Sequence, residues 1–361
     1  MLEIKTRFNA IKKDTDMYGL AEMKSEFLMT ETQVECPILG CDTIVRRRRN
    51  GDGDLRSDDF FCQRCGIFIS SSTFEYKNET DNMLWNDAED TALLTALKAS
   101  KAEINRLSRE RSEDAVSWNV FRYFQRMGKV CEMLSHLDPK NEANNAETIY
   151  WSFSSNTKTP WQQLLNARVA FGEAADVAAA ATGKQVSEPD IIFVTDKSIV
   201  FVEAKFGSGN ATSGDSDDVD RRVQNPKKYV TGADCWYDVV FESNYEKVVR
   251  DRKYELMRFW LLGSWIAKEL DREFVLVNLV RNKSEQNIER DFGKHIWQTN
   301  NRHFVRWTWE SLGPLLGIFD DDEARHLYEY LVQKTIGFSE SKDRKLASPN
   351  KAFSMLEREV R

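Results

Sequence analysis

The chain has no run of about 18 apolar residues, the length a membrane-spanning helix needs. Its best apolar run, Phe259 to Ala267, reaches half of that. Seven prolines and 17 glycines among 361 residues exclude a collagen-like or linker-dominated chain. There are only four histidines, His136, His295, His303 and His326, and no H-x-x-x-H spacing, so histidine-metal hydrolysis is disfavoured. No Walker A sequence and no dinucleotide-binding glycine pattern occurs, so the chain is not expected to use ATP or NAD. The N-terminus, Met-Leu-Glu-Ile-Lys, lacks the apolar stretch of a signal peptide, which makes the cytoplasm the expected location. A hydrophobic content of 41% with 11% aromatics suffices for a sizeable core.

A strongly basic overall balance is also missing: the formal net charge is −7. Two clusters hold eight of the acids, Asp215, Asp217, Asp218 and Asp220 in one and Asp320, Asp321, Asp322 and Glu323 in the other; without them the balance becomes +1. Basic residues outnumber acids two to one from Lys98 to Lys129. The net sign therefore leaves room for a localised basic face.

No internal repeat is present. Residues 1–30 read as a helix plus a connection. Asn86 or Asp87 can cap a helix to about Leu107, and Ser112 can cap another running to Leu137. Thr148 to Phe153 reads as a strand, and Pro160 starts a helix through Thr182 with Gly183 as its stop. Asp190–Thr195 and Ser198–Phe206 form a hairpin pattern, followed by a Gly/Ser/Asp-rich loop over Gly207–Asp218. A long helical pattern spans Tyr245 to Leu270. Phe274 to Val280 is a buried strand, Trp307 and Trp309 are core residues, and a helix covers Asp321 to Lys334. Helix, strand, hairpin, helix and strand in that order imply an α/β layer with a mixed central sheet flanked by helices.

Six cysteines are present, four of them in two pairs, Cys36-x4-Cys41 and Cys62-x2-Cys65-Gly66. Two short-spaced pairs suit one tetrahedral Zn²⁺ held by four thiolates, with Gly66 permitting the turn after the last ligand. Four protein ligands leave no open position, so the expected zinc is structural. Cys131 and Cys235 read as core residues. Over about residues 34–70 the pattern resembles zinc ribbons. Between the pairs lies Arg46-Arg47-Arg48-Arg49, then Arg56; phosphate contact with DNA is the expected role of Arg46 to Arg49, and pairing with the nearby acids is the alternative.

Chemistry concentrates at Glu188-Pro189-Asp190 and Glu203-Ala204-Lys205. Antiparallel pairing brings Asp190 and Glu203 to one end of the hairpin ladder, and alternation puts Glu203 and Lys205 on one face. Two close carboxylates repel unless a hard cation such as Mg²⁺ or Mn²⁺ joins them, and the Ala204 carbonyl is within reach of such an ion. Lys205 can orient an activated water or stabilise developing phosphorane charge.

At these residues the chain resembles the PD-(D/E)xK, or restriction-endonuclease-like, nuclease superfamily, over about residues 110–310. The resemblance implies a restriction-endonuclease-like core, Asp190 and Glu203 as metal ligands and Lys205 as the catalytic lysine. Ser112-Glu113-Asp114-Ala115 with Trp118-Asn119-Val120-Phe121 resembles a helix of bacterial restriction-endonuclease-like proteins, implying Glu113 as a further catalytic acid; its alternative role is complementing the helix dipole. Glu173 is the rival acid, expected on a solvated helix face, and Lys253, Tyr254 and Arg258 are candidates on the later helix. The expected organisation is a zinc-ribbon segment over 1–80, a connecting helix over 81–111 and a nuclease domain over 112–361. The expected function is Mg²⁺-dependent cleavage of double-stranded DNA in restriction or anti-phage defence, with a homodimer suited to a two-strand cut. A structure-specific repair or recombination nuclease and a non-catalytic nucleic-acid-binding regulator are the alternatives.

Overall fold

The computed structural model describes residues 22–49, 51–99, 107–140, 142–173, 188–207, 209–210, 216–224, 227–319, 321–341 and 345–354. Residues 1–21 of the stretch expected as a helix plus a connection over 1–30, residues 100–106 of the helix expected to reach Leu107, the helical stretch from 174 to Thr182 with its stop at Gly183, most of the Gly207–Asp218 loop, and Asp320 lie outside them. The chain divides into two compact units, one of Met1–Leu84, Arg106–Ala115 and His326–Ala352, the other of Trp85–Asn105, Val116–Arg325 and Phe353–Arg361.

The first unit opens with short strands: β1 (Phe27–Leu28), β2 (Gln33–Glu35), β3 (Ile44–Arg46), β4 (Phe61–Cys62), β5 (Ile67–Ile69) and β6 (Phe74–Tyr76). β2 pairs antiparallel with β3, and β4–β5–β6 form a second antiparallel sheet. Gly40 and Gly66, at φ +78° and +64°, take the left-handed turns beside Cys41 and Cys65, where a side chain would strain the backbone.

In the second unit Asp87 caps helix Ala88–Ala99, its Oδ1 accepting from the N–H groups of Glu89 and Asp90. The single helix expected from Ser112 to Leu137 is two, Glu113–Arg126 and Val130–Leu137. Gly128, at φ +65°, ends the first in the left-handed conformation that closes many helices. The strand expected over 148–153 folds back on itself as β7 (Ala146–Tyr150) and β8 (Phe153–Ser154), with Trp151 and Ser152 both at positive φ in the two-residue turn. Helix Gln162–Ala170 stops well before Thr182, at Phe171 and the left-handed Gly172.

The expected hairpin is present as β9 (Ile191–Thr195) and β10 (Ser198–Ala204). β11 (Glu273–Val280) runs parallel to β10, and β12 (Arg302–Thr308) parallel to β11. The mixed sheet therefore reads β12-β11-β10-β9-β7-β8. β10 is buried along its whole length and β11 along nearly all of it, which explains their continuous apolar runs. On one face Ile199, Phe201 and Leu276 pack beneath helix Tyr254–Glu269; on the other Phe193 meets Phe121, ring centroids 5.5 Å apart. The long pattern from Tyr245 breaks into Tyr245–Arg250 and Tyr254–Glu269, with Arg252 left-handed between them.

Residues 326–352 rejoin the first unit. β13 (Thr335–Ser341) and β14 (Leu346–Lys351) pair antiparallel, and β14 pairs with β1. The module expected within residues 1–80 thus also takes in 106–115 and 326–352. Lys334, fully buried, ties the three segments together: it donates to Asn82 Oδ1 at 2.9 Å and to Glu110 Oε2 at 2.7 Å.

Candidate active site and metal centre

In the first unit the β2–β3 turn presents Cys36 and Cys41, and the β4–β5 turn presents Cys62 and Cys65. Their four sulfurs all lie within 4.8 Å of one another, the only such group of three or more His, Cys, Asp or Glu ligands among the described residues. None is in a disulfide. The thiols of Cys36 and Cys65 donate to Cys62, which holds Cys62 far below an ordinary thiol; the same bond and burial push Cys36 far above it. Such a crowd of sulfurs competes for protons that a cation would displace. The four cysteines can therefore hold a metal such as zinc, and four thiolates would leave it no open position.

The arginine block beside them is occupied within its own unit. Arg46 reaches Asp52 and Asp59 at 2.5 and 2.9 Å. Arg47 pairs with Glu340 and donates to the Thr30 carbonyl, Arg48 donates to the Gly53 carbonyl, and Arg49 donates twice to the Glu31 carbonyl. Arg56 bonds Ser108 Oγ at 2.8 Å and lies 3.4 Å from Glu75. Pairing with the protein itself is the arrangement adopted here.

The carboxylate–lysine group lies in the second unit, at one end of the sheet. The register Ile191↔Val202 puts Asp190 opposite Glu203 just past the last pair of the hairpin. Asp190 is anchored by both ends of its own chemistry: its Oδ2 accepts from the Ala204 N–H at 2.8 Å, and its carbonyl accepts from the Trp151 N–H at 2.9 Å. Ala204 thus contributes its N–H to the site's framework, with its side chain buried. Glu203 is 3% exposed and makes an ion pair with Lys205. Lys205 in turn is gripped through its backbone, its N–H donating to the Leu279 carbonyl and its carbonyl accepting from Trp309 Nε1.

Beyond Lys205 the path of the chain is fixed by Arg281, which donates to the Phe206 carbonyl at 2.7 Å. Glu285 adds a second clamp, accepting from the Asn210 N–H, from Asn210 Nδ2 and from Asn278 Nδ2 at 2.6 to 2.8 Å. Asn278, fully buried, is the strand partner of Glu203 on β11, so this clamp abuts the acid directly.

A carboxylate was missing from the expectations. Glu255, in the first turn of helix Tyr254–Glu269, lies 3.6 Å from Lys205 Nζ. Asp190, Glu203 and Glu255 thus all act on one ammonium, which gathers three carboxylates at this end of the sheet. Burial, then the neighbouring Asp190 carboxylate, push Glu203 well above the usual carboxylate range. Burial alone would lower the Lys205 ammonium, but the three carboxylates, Glu203 foremost, hold it above its ordinary value. Carboxylate oxygens are hard donors of the kind that fit a divalent cation keeping most of its waters. The acids are not gathered as closely as the cysteines, which suits Mg²⁺ or Mn²⁺ better than a closed cage.

Other candidates have different places. Glu113 occupies the first turn of its helix, where Ser112 Oγ accepts from the Ala115 N–H; it belongs to the first unit. Glu173 is not on a solvated helix face: helix Gln162–Ala170 has already ended, and the carboxylate is 1% exposed. It accepts from Arg258 at 2.6 and 2.7 Å and from Tyr229 at 2.7 Å, so Glu173 and Arg258 serve each other. Tyr254 donates to the Tyr229 hydroxyl, and Lys253 is the residue just before the helix, with no side-chain capping bond. Cys131 is half-buried and Cys235 exposed, so neither is a core residue. No helix of the described residues is long and apolar enough to cross a membrane. No family model, curated protein or solved structure matches this chain.

Proposed function

We propose that the protein is a divalent-metal-dependent endonuclease acting on double-stranded DNA, and that restriction or anti-phage defence is its setting. The observation that carries this reading is the convergence of Asp190, Glu203 and Lys205 at one end of the β9–β10 hairpin, with Glu255 a further carboxylate beside the lysine. The element order around it, helix, β7, β8, helix Gln162–Ala170, β9, β10, helices, β11, supports a restriction-endonuclease-like core, because it supplies an antiparallel hairpin followed by a parallel crossover.

Asp190 and Glu203 would hold the cation. When bound, the cation supplies Lewis-acid polarisation of the scissile phosphate and a water of lowered pKa. Asp190 is kept in place by the Ala204 N–H, so its orientation does not depend on the ion. Lys205 brings a fixed positive charge to the phosphate oxygens as charge builds on them. Trp309 and Arg281 hold the backbone on either side of Lys205 and Phe206, keeping that charge within reach of the two acids. The four-cysteine centre is structural in this reading, stabilising the first unit with Zn²⁺.

Incubating supercoiled plasmid with purified protein and Mg²⁺, with and without EDTA, tests the reading. Wild-type protein is expected to nick or linearise the plasmid, EDTA to abolish this, and Lys205→Met to lower the rate by about 100-fold or more, the scale of one lost transition-state charge contact. Failure of the wild type to cut any DNA removes the proposal.

A further inference from the structure

Lys205 stands between two carboxylates that differ in depth. Glu203 is 3% exposed, Lys205 14% and Glu255 29%, so the ammonium has an inner partner and an outer one. The inner pair is in contact; the outer carboxylate oxygen is 3.6 Å away, short of a hydrogen bond but close enough to attract. The two acids come from different elements, Glu203 from the end of β10 and Glu255 from the first turn of helix Tyr254–Glu269. That helix is anchored independently, by Arg258 one turn further on, which is held by Glu173.

The consequence is a conflict at Glu203. Its carboxylate is the partner of Lys205 and also one of the two acids suited to a divalent cation. An ammonium in contact with Glu203 and a cation on the same carboxylate would repel each other in a buried setting, where charge interactions are poorly screened. Lys205 cannot give up a counter-ion and remain charged at this depth without another one. Glu255 is positioned to be that counter-ion, on the more exposed side of the ammonium.

Resting on the metal-site reading above, we infer that Glu255 is a positioning residue that takes over Lys205 from Glu203, so that Glu203 is released to a divalent cation while the ammonium stays beside it. Glu255 is then neither a direct metal ligand nor a bystander. Its effect on the cation passes through Lys205.

Mn²⁺ alone is the probe, its affinity measured by titration calorimetry on the full chain, with no cleavage required. Four proteins form a cycle: wild type, Glu255→Gln, Lys205→Met and the double variant, with Asp190→Asn as the control for the metal site. With Lys205 present, Glu255→Gln is expected to weaken Mn²⁺ about tenfold, because Lys205 then stays on Glu203 and competes. In the Lys205→Met background, which has no competing ammonium, the same change is expected to alter affinity less than about twofold. Equal losses in both backgrounds would mean that Glu255 acts on the cation itself, and no loss with Lys205 present would mean that it does not act; either overturns the inference while leaving the metal site standing. Wild-type protein that binds no Mn²⁺, or binds it undiminished in Asp190→Asn, overturns the metal-site reading and the inference with it. Each variant's thermal melt, compared with wild type, identifies any that fails to fold; Glu255→Asp, which keeps the charge, is then expected to retain near wild-type affinity.

Discussion

Arg258 and Glu173 face each other through two hydrogen bonds, Nε to Oε1 at 2.6 Å and a terminal nitrogen to Oε2 at 2.7 Å, with side chains 5% and 1% exposed. Replacing Glu173 by Gln leaves a buried guanidinium without its counter-charge. The variant is expected to lose about 3–5 kcal/mol of stability, the range for breaking one side of a buried pair. Urea denaturation of the wild type and Glu173→Gln checks this; equal midpoints would show that the pair is dispensable.

Metal content offers an independent prediction. Purified protein is expected to carry about one tightly held Zn²⁺ per chain, and Cys62→Ser to lose it together with the near-ultraviolet dichroism of the first unit. Elemental analysis alongside dichroism decides the matter. A metal-free protein with the wild-type spectrum would contradict a structural centre.

His295 gives the stability a pH dependence of definite sign. The ring is fully buried, with Nδ1 2.9 Å from Ser243 Oγ and Nε2 3.1 Å from Asp251 Oδ2. Burial, with Lys294 adding to it, lowers the imidazole below its ordinary 6.5, while Asp251 opposes. The unfolded chain therefore binds a proton that the folded chain refuses. Stability on this account is intact above pH 6.5 and falls as pH drops from there toward the lower folded value. Melting curves of wild type and His295→Gln from about pH 8 to about pH 5 should diverge below the ordinary imidazole range, wild type losing more. Parallel curves would count against this source of acid sensitivity.

Close packing at Gly263 is a fourth test. A β-carbon there would lie 2.1 Å from Cε2 and 2.3 Å from Cζ of Phe274. Gly263→Ala is expected to destabilise by about 1–3 kcal/mol, outweighing the helix propensity gained, which is about 1 kcal/mol. Adding Phe274→Leu should recover part of the loss. A thermal melt of Gly263→Ala at or above wild type would show that the helix shifts to make room.

The hairpin at Asp190 to Lys205 was legible because its cues are local: two uncharged β-rich runs, a two-residue turn at Asp196-Lys197, and Asp190, Glu203 and Lys205 at the end away from that turn. The cysteine pairs were legible for the same reason. The helix breaks at Gly128 and Arg252 were not. At Arg252 apolar residues continue on both sides of the interruption, and nothing about an arginine announces a left-handed conformation. Reading Tyr245 to Leu270 as one helix hid Glu255, which becomes conspicuous only as a first-turn residue beside Lys205. Glu173 was misplaced because its partner Arg258 is 85 residues away. Most distant of all, the return of residues 326–352 to the first unit rests on pairings that no local pattern encodes.

That return bears on how the chain can assemble. Pairing Phe27 with Ala347 closes a ring of some 320 residues, and closing so large a ring from an unfolded chain carries an entropic penalty that grows with its length. If the second unit, almost wholly contained in the intervening stretch, folds first, its own compaction draws those ends nearer and most of the penalty is already met. During synthesis the four cysteines would emerge early, while β13 and β14, the last strands of their unit, would follow only after the sheet bearing Asp190 and Glu203 had been made. Metal capture by the cysteines before that moment would hold an unfinished fold together until its final strands arrive.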